Sequence, residues 1–393
     1  MSQNDAVILS AVRTPIGAFL GTLSSVTAPK LGAIAAQAAL ERAGLRGDQV
    51  NEVFVGSVLP AGVGQAPARQ VALGAGLANS TPCTTVNKVC GSGLKAVMLA
   101  ASAVRAGDAE VVLAGGMESM SNVPFYVEGA RNGVKFGHQK LVDGMIKDGL
   151  WDVYNDFHMG NAAEICARDM KISREEQDAF AKESFLRARA AQAAGWFKDE
   201  IVGVPVEVKR GETTLVLDDE NPNKSNLDKM PTLKPAFDKA GTITAANAST
   251  LNDGASMLVV ASRAFADKHG IKPLATIKSY ASAAQAPEWF TTAPAKAIRN
   301  ALDLARLGVG DVDLFEINEA FAVVSIANER LLELDRAKVN VSGGAIALGH
   351  PIGASGARIL TTLLHGMKRL DKKRGLASLC IGGGEGVALV VER

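Results

Sequence analysis

Short, continuous apolar runs alternate with helical periodicities along most of this chain, and glycine-rich turns separate them. Ala6 to Ala11, Val53-Phe54-Val55, Val111 to Ala114, Leu314 to Ile317 and Ala377 to Ile381 are runs of strand length. They are mostly apolar, broken only by Ser10, Glu316 and Ser378, as expected for strands covered on both faces. Leu31 to Gly44 reads as an alanine-rich helix ending at glycine. Thr84 to Val89 follows Pro82 and is rich in β-branched residues, which predicts a strand up to Val89. From Leu94 onward Val97, Met98, Ala101 and Val104 recur at helical spacing while Ala96, Leu99, Ala100 and Ala103 fill the other sides. That pattern predicts a helix buried nearly all round, with its N-terminus at Cys90-Gly91. Strands alternating with such helices argue for a layered α/β fold.

The order repeats. A helix over Ala295 to Ala305, a strand at Leu314 to Ile317, a glycine turn at Gly353, a helix from Ala357 to Leu370 and a strand from Ala377 follow the earlier sequence of elements. Asp48 to Cys90 and Asp311 to Gly353 are both separations of 42 residues. Two similar α/β halves are therefore expected, over 1–270 and 271–393, packed into one layered body. Residues 121–246 depart from the pattern and are too long for a plain connector, so they are expected to fold over the body as an inserted loop domain supplying binding or assembly surface. Within them Ser173-Arg174-Glu175-Glu176 has the form of a capping box.

At 393 residues and 47% hydrophobic, the chain can bury a large core. Lys plus Arg number 42 against 41 Asp plus Glu, so no global charge draws it to nucleic acid or an anionic membrane. The four cysteines form no Cys-x-x-Cys and no zinc-like pairing with the five histidines, so neither a disulfide framework nor a metal site is expected, and a reducing cytoplasm fits. Met1 to Ser10 lacks the features of a secretory leader, no apolar run is expected to reach membrane-spanning length, and the final residues carry no peroxisomal address.

Four stretches carry candidate chemistry. Cys90 falls at a small-residue turn before a helix, where the helix dipole and unpaired N–H groups favour a thiolate and can hold an oxyanion. Gly91 and Gly93 would open the approach to it; an inert buried cysteine is the bland alternative. Ser342 to Gly356 surrounds His350 with glycine, which suggests a crowded site where backbone approaches something closely. Cys380 ends an apolar strand before Gly382-Gly383-Gly384, whose uncovered N–H groups form a plausible anion nest. In Glu316-Ile317-Asn318-Glu319 a polar group ends a strand, and on spacing alone Asn318 reads as a helix cap rather than a holder of water.

Together Asn87-Lys88-Val89-Cys90 with Gly91-Ser92-Gly93, Asn318-Glu319-Ala320-Phe321, Gly349-His350-Pro351 and Cys380-Ile381-Gly382-Gly383-Gly384 resemble, in order and over essentially the whole chain, the signatures of the thiolase family, most closely its acetyl-CoA acetyltransferase members. The resemblance implies a five-layered α-β-α-β-α fold and a reversible Claisen condensation of two acetyl-CoA to acetoacetyl-CoA plus CoA. By it, Cys90 carries the acyl group, His350 activates it, Cys380 moves the α-proton, Asn318 holds a water, and the N–H groups of Cys90 and Gly382 hold an oxyanion. It also implies that His158 and Met159 flank the thioester, that Leu150, Phe237, Ala248, Ser249 and Phe321 line the pantetheine channel, and that Phe290 borders the acyl pocket. Coenzyme A is then a substrate, no separate cofactor is needed, and the aromatic-rich 120–142 segment implies a homotetramer. Asn221-Pro222-Asn223-Lys224 lacks an arginine that some members place against CoA. Trp289-Phe290-Thr291 lacks the Phe-Pro pair of potassium-activated relatives, so no potassium requirement is expected. A degradative 3-ketoacyl-CoA thiolase of broader chain length and a catalytically silent acyl-CoA-binding module are the alternatives. A decarboxylating ketoacyl synthase is disfavoured, because that class is expected to lack a counterpart of Cys380.

Overall fold

The computed structural model describes residues 3–393, so the first two residues of the N-terminal stretch read above lie outside it. Nine strands make one continuous sheet path: β1 (Ala6–Arg13), β2 (Glu52–Gly56), β3 (Cys83–Val86), β4 (Val111–Ser119), β5 (Asn252–Ser262), β6 (Ala275–Ala284), β7 (Leu314–Ile317), β8 (Arg374–Ile381) and β9 (Glu385–Glu392). Their order is β7-β8-β9-β6-β1-β5-β4-β2-β3. The principal helices are α1 (Ala28–Ala43), α2 (Pro67–Gly74), α3 (Ser92–Ala106), α4 (Met159–Asp169), α5 (Arg174–Ala193), α6 (Ala293–Ala305), α7 (Ala322–Leu332) and α8 (Ser355–Arg369).

The repeat is visible in the topology. From β1 outward the order is β5, β4, β2, β3, with two antiparallel and then two parallel pairings. From β6 outward it is β9, β8, β7 and a parallel bridge from Phe315 to Val339, with the same senses. Among the described residues the two runs pair only through Val7–Thr276 and Ile8–Ala275. Cys90 and Gly353 each precede by two residues the helix that enters the middle of the molecule, α3 and α8.

Strand residues alternate between cores, as a two-residue period requires. Val7, Leu9, Met257 and Val259 face α1 and α2, while Ile8, Leu258 and Val260 face α3 and α8. In the second run Leu379, Val387 and Leu389 also face α3 and α8, while Leu376, Ala388 and Val390 face α6. Five layers result: α1/α2, strands, α3/α8, strands, α6. The central layer explains why α3 is apolar over most of its circumference, leaving only the side of Lys95, Leu99, Ser102 and Ala106 partly or fully exposed. Its stretch Val89–Ala106 is long and apolar enough to cross a bilayer by length and composition, contrary to the expectation that no run would be, but here it packs between two layers of strands.

The central layer also explains several glycines. A Cβ on Gly93 would lie 2.9 Å from Ala357 N and 3.0 Å from Gly353 O, and one on Gly91 would lie 2.4 Å from Ile381 Cδ1. These glycines make room for α8 and β8, a correction to the expectation that they open a path for substrate. The inserted segment packs α4 and α5 against α7 in a further core containing Met159, Phe180, Phe185 and Phe321. It is tied to β1 by fully buried Arg13, whose guanidinium bonds Glu200 at 2.6 Å and Asp219 at 2.7 and 2.8 Å. Ser173 caps α5 by accepting from Glu176 N at 3.2 Å, but the Glu176 carboxylate pairs with Arg330 instead of closing a capping box.

Candidate active site

The chain reaches Cys90 through a tight elbow. β3 ends at Val86, earlier than the sequence suggests, because Asn87 to Gly91 coil into a turn held by side chains. Asn87 Oδ1 accepts from Val89 N at 3.0 Å, Ser92 Oγ accepts from Lys88 N at 2.8 Å, and the Ser92 hydroxyl donates to Val89 O at 2.7 Å. Val89 is left at φ 44°, a left-handed conformation that is costly for a β-branched residue and is sustained by these bonds. The elbow pushes Cys90 out to the wall of a cavity of about 1030 Å³.

That cavity gathers Cys90, His350, Cys380 and Gly382, together with Leu150, His158, Met159, Phe237, Ala248, Ser249, Phe290 and Phe321. Asn318 is the one sequence-predicted site residue outside its lining; it lies behind His350, with Nδ2 at 3.5 Å from both ring nitrogens. It does not cap a helix, since α7 begins after Phe321. Among the described residues nothing bonds the buried Asn318 Oδ1, which leaves that oxygen able to accept from a water.

His350 is held at its backbone and at its ring. Its backbone N–H donates to Asn252 Oδ1 at 2.9 Å, and its Nδ1 meets Ser355 Oγ at 2.6 Å. Ser355 donates its own proton to Pro351 O at 2.9 Å, so it accepts from Nδ1–H. This network assigns the proton to Nδ1 and leaves Nε2 as the unprotonated nitrogen, with Asn318 Nδ2 3.5 Å from it. Burial, assisted by the positive charge of Arg358, lowers the His350 pKa to about 3, so the ring is neutral at physiological pH.

Burial also pushes the Cys90 thiol up to about 11, against hydrogen bonds from the backbone N–H groups of Gly382 and of Cys90 itself that favour the thiolate. The helix dipole alone therefore does not make a resting thiolate, contrary to expectation. At pH 7 ionising such a thiol into water would cost about 5 kcal/mol, so transfer to an adjacent base is required. The two N–H groups that reach Cys90 are those anticipated for an oxyanion. Cys380 is buried, its pKa raised well above that of a free thiol by burial and by the nearby Cys90. Gly382 also keeps the turn after β8 narrow, since a Cβ there would lie 3.3 Å from Met159 Sδ.

The far wall is aromatic. His158 caps α4, its Nδ1 accepting from Gly160 N at 3.0 Å, and stacks on Phe237 with centroids 4.8 Å apart. Phe321 meets Phe237 and Phe290 edge-on at 6.1 and 6.3 Å. Ser249 N donates to Ala320 O at 2.9 Å, holding the Ala248-Ser249 segment along this wall. Asn221 joins the lining from the loop that lacks the arginine of some family members. Residues to which the sequence assigned no role complete the site: Asn252, which positions His350 from 98 residues away, and Met120, Met145 and Ile352 around Cys90. Ser355 lies in the glycine-rich stretch, but nothing in the sequence marks it as the partner of the imidazole.

Comparison with known proteins agrees with this geometry along the whole chain. Residues 6–264 match the family model described as thiolase, N-terminal domain, and residues 271–393 match thiolase, C-terminal domain. A Cupriavidus necator protein named acetyl-CoA acetyltransferase is 57% identical, with all of both chains covered. Acetyl-CoA acetyltransferase 2 of Arabidopsis thaliana is 54% identical, covering 100% of this chain and 98% of its own. A Pseudomonas aeruginosa acetyl-CoA acetyltransferase is 53% identical over all of both chains.

Proposed function

We propose, from the premise that this chain belongs to the thiolase family, that it is an acyltransferase interconverting two acetyl-CoA with acetoacetyl-CoA and CoA through an acetyl-Cys90 thioester. The observation that carries the reading is the meeting of a half-buried thiol, a buried thiol, a neutral imidazole with an unprotonated Nε2 and the Gly382 N–H in one cavity. One thiol suits attack on a carbonyl, and the second suits proton transfer at the neighbouring carbon.

In the cleavage direction His350 Nε2 takes the Cys90 proton as Sγ attacks the 3-keto carbon. The resulting oxyanion is held by the N–H groups of Cys90 and Gly382. Carbon–carbon cleavage leaves an enolate, whose oxygen is stabilised by His350 and a water held on Asn318. Cys380 donates a proton to its α-carbon, releasing acetyl-CoA. The thiol of CoA then loses its proton to the Cys380 thiolate and takes the acetyl group from Cys90, regenerating both thiols. Two separate binding events predict ping-pong kinetics.

Phe290, buried and set edge-on to Phe321, favours a short acyl group. The test is the rate of thiolysis across chain length. Acetoacetyl-CoA is expected to be cleaved at least tenfold faster, in kcat/KM, than a six-carbon or longer 3-ketoacyl-CoA; a preference for the longer substrates would instead assign the degradative reading. The enzyme is read as needing no metal or potassium, and potassium added to a sodium-only assay should leave the rate unchanged within twofold. Exposed Phe125, Val134, Phe136 and Leu141 in the 120–142 segment support a homotetramer, which light scattering would measure directly. Four unpaired thiols are compatible with a cytoplasmic setting.

A further inference from the structure

Glu118, at the end of β4, is a buried carboxylate that takes no part in the chemistry described above. It accepts from Val58 N at 2.9 Å, Leu59 N at 3.3 Å and Gly353 N at 3.0 Å, and from the Ser57 hydroxyl at 3.4 Å. These donors come from two loops, one following β2 and one following His350. The same loops supply Val58, Leu59 and Ile352, the apolar patch against which Cys90 packs. A single carboxylate thus pins, from behind, the backbone of both segments that form the floor beneath the nucleophile. The approach is close enough to require glycine at 353, where a Cβ would lie 2.5 Å from Met117 O and 2.6 Å from Glu118 Oε2.

We propose that Glu118 is a positioning residue for the nucleophile, fixing the floor under Cys90 and setting by its charge how readily that thiol ionises. The inference rests on the thiolase reading only in taking Cys90 as the nucleophile. Burial holds Glu118 at about 7, against the four hydrogen bonds that favour its ionised form. Its negative charge in turn opposes the Cys90 thiolate. Glu118 is therefore protonated and deprotonated in the range where the enzyme works, and each change alters the acidity of Cys90. Other titratable groups lie near the site. His350 is neutral down to about pH 3, and Cys380 remains a thiol. Asp253, on the neighbouring strand β5, is engaged by Ser119 and Ser121. Lys88 is paired with Glu385.

The experiment is the pH dependence of Cys90 alkylation by iodoacetamide, read by peptide mass spectrometry so that Cys380 is followed separately and no turnover is needed. In the wild type the logarithm of the rate is expected to rise with pH, flatten near pH 7 as Glu118 ionises, and rise again. A straight line of constant slope from pH 6 to 9 would overturn the proposal without touching the acyl-transfer reading. Glu118→Gln should abolish the plateau and increase Cys90 alkylation at pH 8.5 by about tenfold. Glu118→Asp, which keeps the charge, should retain the plateau. Equal behaviour of the two folded variants would reduce Glu118 to a packing role and contradict the inference.

Discussion

Ser355→Ala tests whether the imidazole depends on the partner that fixes its tautomer. Ser355 is completely buried, and its hydroxyl is the 2.6 Å partner of His350 Nδ1. Removing it leaves a buried N–H without an acceptor, at a cost of about 1–3 kcal/mol. That penalty falls on the tautomer with an unprotonated Nε2, the form able to take the Cys90 proton. Since about 1.4 kcal/mol corresponds to a factor of ten, kcat should fall between roughly fivefold and 150-fold. KM should change little, because Ser355 does not line the cavity. The assay is steady-state thiolysis of acetoacetyl-CoA at saturating CoA, accompanied by thermal melting to confirm folding. A folded variant whose kcat stays within twofold of the wild type would refute the assignment of the proton to Nδ1 and of Nε2 as the base.

Other substitutions probe the frame. His350 is held neutral far below the ordinary histidine pKa, so the unfolded chain binds the extra proton and stability falls as pH drops from about 6.5 toward 3; in His350→Asn, denaturant titrations should show a shallower acid decline than in the wild type, and an unchanged decline would contradict the buried neutral ring. Arg13→Met leaves Glu200 and Asp219 buried without their cation and should cost about 3–5 kcal/mol in chemical denaturation, whereas a loss below 1 kcal/mol would show that the pair finds other partners. Gly93→Ala forces a methyl group against the backbone of α8 and should destabilise by about 1–3 kcal/mol with lower soluble yield; a neutral effect would mean that the central layer is looser than described. Phe290→Ala should raise the kcat/KM ratio of six-carbon to four-carbon 3-ketoacyl-CoA about tenfold or more, and an unchanged ratio would remove Phe290 from the acyl pocket.

Local patterns made much of the frame readable. Apolar runs without alternation correctly implied strands covered on both faces, and the matched spacings of Cys90 and Gly353 correspond to equivalent turns in the two halves. Four short motifs, distant in sequence, pointed to side chains that the fold brings to one cavity or, for Asn318, directly behind it. Readings that depended on packing fared differently. Gly91 and Gly93 looked like openings for substrate, but the bodies that need the space are β8 and α8, which lie far along the chain. The dipole argument for a Cys90 thiolate considered one helix end and omitted the burial that outweighs it. Asn318 resembled a cap because spacing alone cannot reveal that the next helix starts after Phe321. The supports of His350 and Cys90 were the least legible. Asn252 is 98 residues from His350, and Glu118 is 235 residues from Gly353, and a contact made only in three dimensions leaves no local periodicity.

Intact-protein and peptide mass spectrometry after brief exposure to acetoacetyl-CoA, without free CoA, tests the central claim most directly. The account predicts one acetyl-sized adduct on the Cys90 peptide, discharged when CoA is added and absent from Cys90→Ala. Folded, CoA-competent protein that acquires no adduct, or that carries it on Cys380 instead, would contradict the assignment of Cys90 as the acyl carrier.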